Sequence, residues 1–338
     1  MRFLQLLTLV QLVTLALADS LPMDKPFHRD TLYATGLSHG SNVLFTVNQE
    51  SGTATVVGPT GNDTYLFQGG LKWDPGSHTL YASGYDTVAS GYLFAAYQPA
   101  LYKINMVTGT ATLVGFLDSN QDGFMSNGGG DLAYDTKNHT MYATGCDSQL
   151  IPNHGGQTCD PGLFTINLKT GAASLVSILP VGRVHDGGLA YDPFNNFLYA
   201  TGSDPNGTSS ELVRIDPATG DETLVGITES GLGLAYGGLD FDTRRQLLFA
   251  DGTLNANNTN PSFLFTINSA TAAIHVVGDT ESGPGGLAQG GLSFVAWVPE
   301  PSTILLLMPL SIMFALRVRY RSFRKSFLEI SLPNERKK

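Results

Sequence analysis

Short stretches of alternating apolar and polar residues recur along the chain, each bounded by Gly, Asn, Asp or Thr. Period-two runs rich in β-branched and aromatic residues predict β-strands. Four kinds repeat. Strand a is Gly-Gly-Leu followed by an aromatic and Asp, at Gly69–Asp74, Gly187–Asp192 and Gly237–Asp242, with a last copy at Gly290–Phe294. Gly129–Asp135 reads as a copy with one inserted residue. Strand b is Leu32-Tyr33-Ala34-Thr35-Gly36, with counterparts at Leu80–Gly84, Met141–Gly145, Leu198–Gly202 and Leu248–Gly252. Strand c is Leu44–Asn48, with counterparts ending at Asn105, Asn167, Asp216 and Asn268. Strand d is Ala54–Gly58, with counterparts ending at Gly115, Ser177, Gly226 and Gly278.

The spacings predict the topology. From strand a to strand b the aromatic positions are always 8 residues apart, as in Trp73 to Tyr81, and from c to d the spacing is always 11, as in Phe45 to Val56. Constant spacing means tight hairpins. The b-to-c step varies from 12 to 22 residues, and the step from d to the next a from 16 to 21. Four antiparallel strands repeated radially make a β-propeller. The first copy lacks a and the last copy has only a. Joining them closes a ring, so the expectation is an all-β, five-bladed β-propeller in which residues 290–298 complete the blade begun by residues 31–58. An open solenoid would leave unmatched strands at both ends. The fixed a–b and c–d turns then share one face of the disc, and the variable loops share the other, which is the expected binding face.

The turns account for their own residues. Asn or Asp caps the c–d turn and Gly supplies its φ > 0 position, as in Asn105–Gly109. Ala272 replaces that Gly in the fifth copy, so that turn should be strained or different. Asp74, Asp135, Asp192 and Asp242 recur after strand a and read as Asx turns rather than as a metal ring. His78 and His139 occupy equivalent places in that turn.

Composition narrows the function. Lys+Arg number 19 against 29 Asp+Glu, a net charge of −10. The body from Asp19 to Pro299 alone carries −16, while the stretch from Arg317 onward is basic. An acidic body excludes nucleic acid as a partner. No nucleophile elbow, P-loop or zinc-protease motif occurs, so no catalytic residue is assigned. Asp118, Asn120 and Asp122 followed by Gly123 match the front half of a calcium loop, with structural calcium as the implied cofactor. The acid expected at the twelfth position is missing, and a polar surface loop is the alternative. Cys146 and Cys159 flank one b–c loop. On an exported chain they read as a disulfide, with a metal site through His154 as the alternative.

Both ends carry targeting patterns. Met1–Ala18 holds Arg2, an apolar run and Ala16-Leu17-Ala18, the layout of a signal peptide removed by signal peptidase after Ala18. Ser302–Leu316 is uncharged and apolar, shorter than the ~20 residues of a comfortable membrane span. It is followed by Arg317, Arg319, Arg321, Arg324 and Lys325, so a membrane helix would leave the C-terminus cytoplasmic and the body outside.

Val298-Pro299-Glu300-Pro301-Ser302-Thr303, the apolar run and the arginine cluster together resemble the PEP-CTERM sorting signal of bacteria. That resemblance implies recognition of Pro299, Glu300 and Pro301 by an exosortase, transient retention in the inner membrane and a final place at the cell surface or beyond. A plain membrane anchor is the alternative. The expected organisation is a signal peptide at 1–18, a propeller at 19–298, a sorting signal at 299–325 and a polar tail at 326–338. The repeats also resemble uncharacterised propeller domains of exported PEP-CTERM proteins, which implies architecture and not activity. Two functions compete: a non-catalytic surface or matrix protein whose loop face binds a glycan or protein, and a hydrolase or lyase using acidic residues near the ring axis. The missing catalytic motif favours the first.

Overall fold

The computed structural model describes residues 30–295 except 62–63, 67–68, 89–95, 118–130, 148–159, 181–186, 205–208, 231–233, 235–236, 255–260, 281–285 and 288–289. Every regular element among the described residues is a β-strand. The first repeat gives β1 (Thr31–Ser38), β2 (Ser41–Val47) and β3 (Ala54–Pro59). The second gives β4 (Thr64–Tyr65), β5 (Leu71–Asp74), β6 (Thr79–Val88), β7 (Ala96–Ile104) and β8 (Ala111–Phe116). The third gives β9 (Leu132–Asp135), β10 (Thr140–Asp147), β11 (Asp160–Ile166) and β12 (Ala173–Ile178). The fourth gives β13 (Leu189–Asp192), β14 (Phe197–Ser203), β15 (Ser209–Ile215) and β16 (Glu222–Ser230). The fifth gives β17 (Leu239–Asp242), β18 (Leu247–Thr253), β19 (Ser262–Ile267) and β20 (Ile274–Asp279), and β21 (Leu292–Val295) closes the series.

These strands form five antiparallel sheets, the blades of a propeller. The closure expected from the repeats is present: β21 pairs with β1, Leu32 facing Phe294 and Ala34 facing Leu292, so the last strand is innermost in the first blade. The short β4 adds a fifth strand to the second blade by pairing with β6, which the repeats do not announce. No helix among the described residues is long and apolar enough to cross a membrane. The expected membrane helix, with Pro299, Glu300, Pro301 and the basic Arg317, Arg319 and Arg321, lies outside the described residues, as does the cleavage position at Ala18.

The core lies between blades. Residues alternating along b and c bury against the neighbouring sheet, and Leu32, Leu44, Leu80, Leu101, Leu132, Leu198 and Leu264 have no exposed surface. Outer strands interlock through glycine. A Cβ added at Gly58 would overlap Thr108 O of the second blade's turn, one at Gly115 would overlap Thr170 O of the third blade, and one at Gly278 would overlap Ser51 O of the first. The d-strand glycine and the glycine of the facing c–d turn are therefore two halves of one inter-blade contact. Backbone bonds accompany it: Ala111 N–H donates to Thr60 O at 2.8 Å, and Ala54 N–H to Thr280 O at 2.9 Å across the closure.

One expectation is corrected and one is met. Asp131 is not next to an insertion but stands in place of the second glycine. Thr144 N–H bonds to Asp131 O just as Ser83 N–H bonds to Gly70 O and Thr201 N–H to Gly188 O. Ala272, expected to strain or change its turn, strains it only. Its φ is 60°, against 75–82° at Gly52, Gly109, Gly171 and Gly220. Its N–H still donates to Asn268 O at 2.8 Å, the bond Gly171 makes to Asn167.

Candidate functional site at the ring axis

An innermost strand pairs on one side only, so alternate N–H groups of its free edge face the axis. The five inner strands β5, β9, β13, β17 and β21 therefore surround the axis with amides that need acceptors. Asp131 supplies several. Its Oδ1 accepts from Leu132 N–H at 2.8 Å, and its Oδ2 from Leu189 N–H at 2.8 Å and Leu239 N–H at 3.1 Å. One carboxyl group thus ties the third, fourth and fifth blades. A turn further along the axis, Asp240 Oδ1 accepts from Phe241 N–H at 2.8 Å and Oδ2 from Phe294 N–H at 2.6 Å, while Ser293 Oγ accepts from Trp73 N–H at 2.9 Å.

Lys72 completes this layer. It sits in the second blade at the strand position that Ala133, Ala190, Asp240 and Ser293 hold in the others. Its Nζ lies 2.7 Å from Asp240 Oδ1 and donates to Leu239 O at 3.2 Å. The two blades are not neighbours, so this ion pair crosses the axis, with the two side chains only 5% and 11% exposed.

At the loop end of the axis Asp251 takes the place of the Thr or Ser found in the other b strands. Thr35, Ser83 and Thr201 hydroxyls accept from Gly291, Gly70 and Gly188 N–H groups. Asp251 Oδ1 accepts likewise from Gly238 N–H. Its second oxygen, Oδ2, is buried with no partner among the described residues. Burial pushes both acids up. For Asp131 desolvation outweighs the Lys72 charge and the three amides, leaving it at about 7. For Asp251 desolvation is joined by the negative charge of Asp131, and only the Gly238 amide and its own backbone amide pull the other way. Both carboxyls therefore hold their protons to higher pH than an ordinary aspartate does.

At the opposite, turn end of the axis lies a cavity of about 180 Å³. Its lining includes Trp73, Tyr134, Tyr191, Phe241 and Phe294, one aromatic from each inner strand, with Lys72 and Asp240 deeper in. Much of the loop face, the expected binding face, lies outside the described residues; among the described ones this cavity opens between the constant turns.

The recurring turn acids are caps. Asp74 accepts from Gly76 N–H at 2.8 Å and the Ser77 hydroxyl at 2.6 Å. Asp135 accepts from Lys137 and Asn138 N–H groups, Asp192 from Phe194 and Asn195, and Asp242 from Arg244 and Arg245. For Asp74 burial acts upward, but bonds from Ser77, Tyr134 and the turn amides outweigh it, and its pKa is lowered. Tyr134 is raised by burial and by that same bond to Asp74, so the aromatic of one blade locks onto the turn of the blade before it. His78 and His139 hold equivalent turn positions with φ of 51° and 55°, as do Asn196 and Gln246.

The calcium-like Asp118, Asn120 and Asp122 lie outside the described residues, as does Cys159. Cys146 lies in β10 opposite Pro161. Lys72, Asp240 and Asp251 escaped the sequence reading. The signal was there: Lys72 and Asp240 stand at a position that is Ala or Ser in the other three copies, and Asp251 at one that is Thr or Ser in the other four.

No family model matches the chain, and no curated protein matches it. Among solved structures it is similar to a gluconolactonase of Xanthomonas campestris, at 14% identity and a TM-score of 0.42, over 76% of this chain and 78% of that one. It is also similar to the periplasmic gluconolactonase of Pseudomonas aeruginosa, at 14% identity and a TM-score of 0.41, over 79% of this chain and 100% of that one. The fold rests on the five sheets and their closure rather than on these likenesses. The expectation of a non-catalytic protein, which rested on the missing linear motif alone, is withdrawn: the solved structures similar to this chain include gluconolactonases.

Proposed function

We propose that this chain is an exported carbohydrate-active propeller, a hydrolase or lyase whose acid–base groups stand at the loop end of the axis. The observation that carries the reading is the Asp131–Asp251 pair. The two carboxyl groups share one buried environment, and burial pushes both above the ordinary carboxylate range, Asp131 to about 7, which suits them to general acid and general base steps. Asp251 is the proton donor in this reading: its Oδ2 is the one axial carboxyl oxygen left without a partner among the described residues. Asp131 is the proton acceptor. Export rests on the Met1–Ala18 pattern, and retention followed by exosortase processing rests on residues 298–325.

The test is turnover by the purified full chain on neutral and acidic polysaccharides and on sugar lactones, followed by release of reducing ends, by absorbance of unsaturated products and by ring opening. Asp251→Asn should lower kcat about 100-fold or more while the far-ultraviolet spectrum stays unchanged. Failure to turn over any of these classes, or full activity in Asp251→Asn, would overturn the reading. The intact mass of protein recovered from the envelope of an exosortase-bearing host tests the sorting half. Retention of Lys338 would leave only a membrane anchor.

A further inference from the structure

The turn-face cavity has a chemistry that the acid pair does not use. Its walls are aromatic on all five sides of the axis, and its deep end is an ion pair rather than an apolar plug. Two donors there are not fully used. A lysine ammonium carries three N–H groups, and Lys72 spends two of them, on Asp240 Oδ1 and Leu239 O. The Trp73 indole N–H, buried in the cavity wall, has no partner among the described residues, although a buried indole N–H usually finds one.

From this we infer that the cavity is a binding site for one ring of a neutral saccharide, separate from the acid pair. Unused donors ask for acceptor oxygens. The local charge decides which kind. Lys72 is already compensated by Asp240, Asp30 is paired with Arg244 at 3.1 Å, and Asp242 with Arg245 at 3.3 Å. Neither a ligand carboxylate nor a ligand ammonium finds an unmatched opposite charge, and the acidic body repels the former. What fits is a molecule with uncharged hydroxyl acceptors at its edge and C–H faces to lay on rings. About 180 Å³ takes one such ring, not a chain. Continuation is available at the rim. Phe194, 60% exposed, stands edge-on to Phe241 with ring centres 6.3 Å apart.

The proposal is tested by calorimetric titration of the full chain in mild detergent. The probes are glucose, galactose and their disaccharides, with glucuronate and tetramethylammonium as charged comparisons. Saturable binding of at least one neutral sugar, tighter than either charged probe, is expected. Thr136→Trp and Thr243→Trp, at exposed positions on the cavity mouth, should each weaken it about tenfold or more. Trp73→Phe, which keeps an aromatic wall and removes the donor, should weaken it by a similar factor. Asp251→Asn should leave it unchanged, so loss of turnover and loss of this binding are separable. No saturable heat with any neutral sugar, binding by both mouth variants as tight as by the unaltered chain, or preference for a charged probe would overturn the inference.

Discussion

The inner and outer edges of the ring meet the same problem in opposite ways. Each edge strand leaves one row of backbone groups unpaired. At the outer edge the answer is repeated five times: a d-strand residue nests in the next blade's c–d turn, glycine against glycine in three of the five contacts. One aliphatic per blade, at Val56, Leu113, Leu175, Leu224 and Val276, stays 41–49% exposed there. At the inner edge single residues of different blades serve the whole ring: Asp131 of the third, Asp240 of the fifth, Ser293 of the first and Lys72 of the second. The position held by Lys72 is Ala133, Ala190, Asp240 and Ser293 in the other inner strands, so it carries no five-fold repeat. A regular outer edge builds the ring, and an irregular inner edge gives it a site.

The sharpest way to break this contrast is at Lys72. Lys72→Met leaves Asp240 buried without its counter-charge, which costs roughly 3–5 kcal/mol. Lys72→Met/Asp240→Asn should recover much of it, since the Asn oxygen can still accept an amide. Urea midpoints of the three proteins check this. If the single and double variants are equally destabilised, the pair is packing rather than charge.

Next in size is the outer contact. In Gly115→Ala the new methyl meets Thr170 O, a backbone atom that can move only with its blade. A loss of about 2–3 kcal/mol is expected, with the same result at the equivalent Gly58. Near-neutral values would mean that the blades slide freely.

How much of this was legible follows the same division. Whatever is repeated could be read: strands, turns, closure and the capping role of Asp135 and Asp192 are periodic and local. The axis could not be read in that way, because its partners are remote in sequence. Lys72 and Asp240 are 168 residues apart. Asp131 looked like a neighbour of an insertion because glycines precede it, and only the bond from Thr144 fixes its register. The polar axis shows in sequence as exceptions to the repeat, and exceptions gain meaning only once the ring brings them together.

A smaller effect separates the axis by pH. Asp131 rises from an ordinary ~3.9 when unfolded to about 7 when folded. A raised carboxyl contributes its full stability below the unfolded value and loses it as pH climbs through the folded one. Stability should therefore fall from about pH 4 to pH 7, with a slope of at most about 1.4 kcal/mol per pH unit from this group. Asp251, raised in the same direction, adds to it. Asp131→Asn should flatten the slope while lowering stability throughout, because one side-chain oxygen cannot serve three amides as two do. Urea midpoints between pH 5 and 8 measure both effects. An unchanged slope in the variant would move the titration elsewhere.

The smallest expected effect tests the outer edge from within. The glycine-to-glycine contact is broken in two places, each time on one side only. Ser177 faces Gly220, and Ala272 faces Gly226. Where the alanine stands, a Cβ at Gly226 would lie 3.1 Å from both Ala272 Cβ and Thr271 O, whereas at Gly58, Gly115 and Gly278 it would overlap backbone oxygen. The fifth blade's turn stands further off, which makes space for one methyl but not two. Ala272→Gly alone relieves about 1 kcal/mol of left-handed strain, but it loses a buried methyl worth a similar amount and adds freedom to the unfolded chain. It should be close to neutral. Gly226→Ser alone should cost about 1–3 kcal/mol by crowding Ala272. Together the two changes reproduce the Ser177–Gly220 arrangement of the neighbouring contact, and a favourable coupling of about 1 kcal/mol is expected in a double-mutant cycle. A coupling of zero would mean that the two residues vary independently and that the outer edge carries no shape rule beyond its glycines.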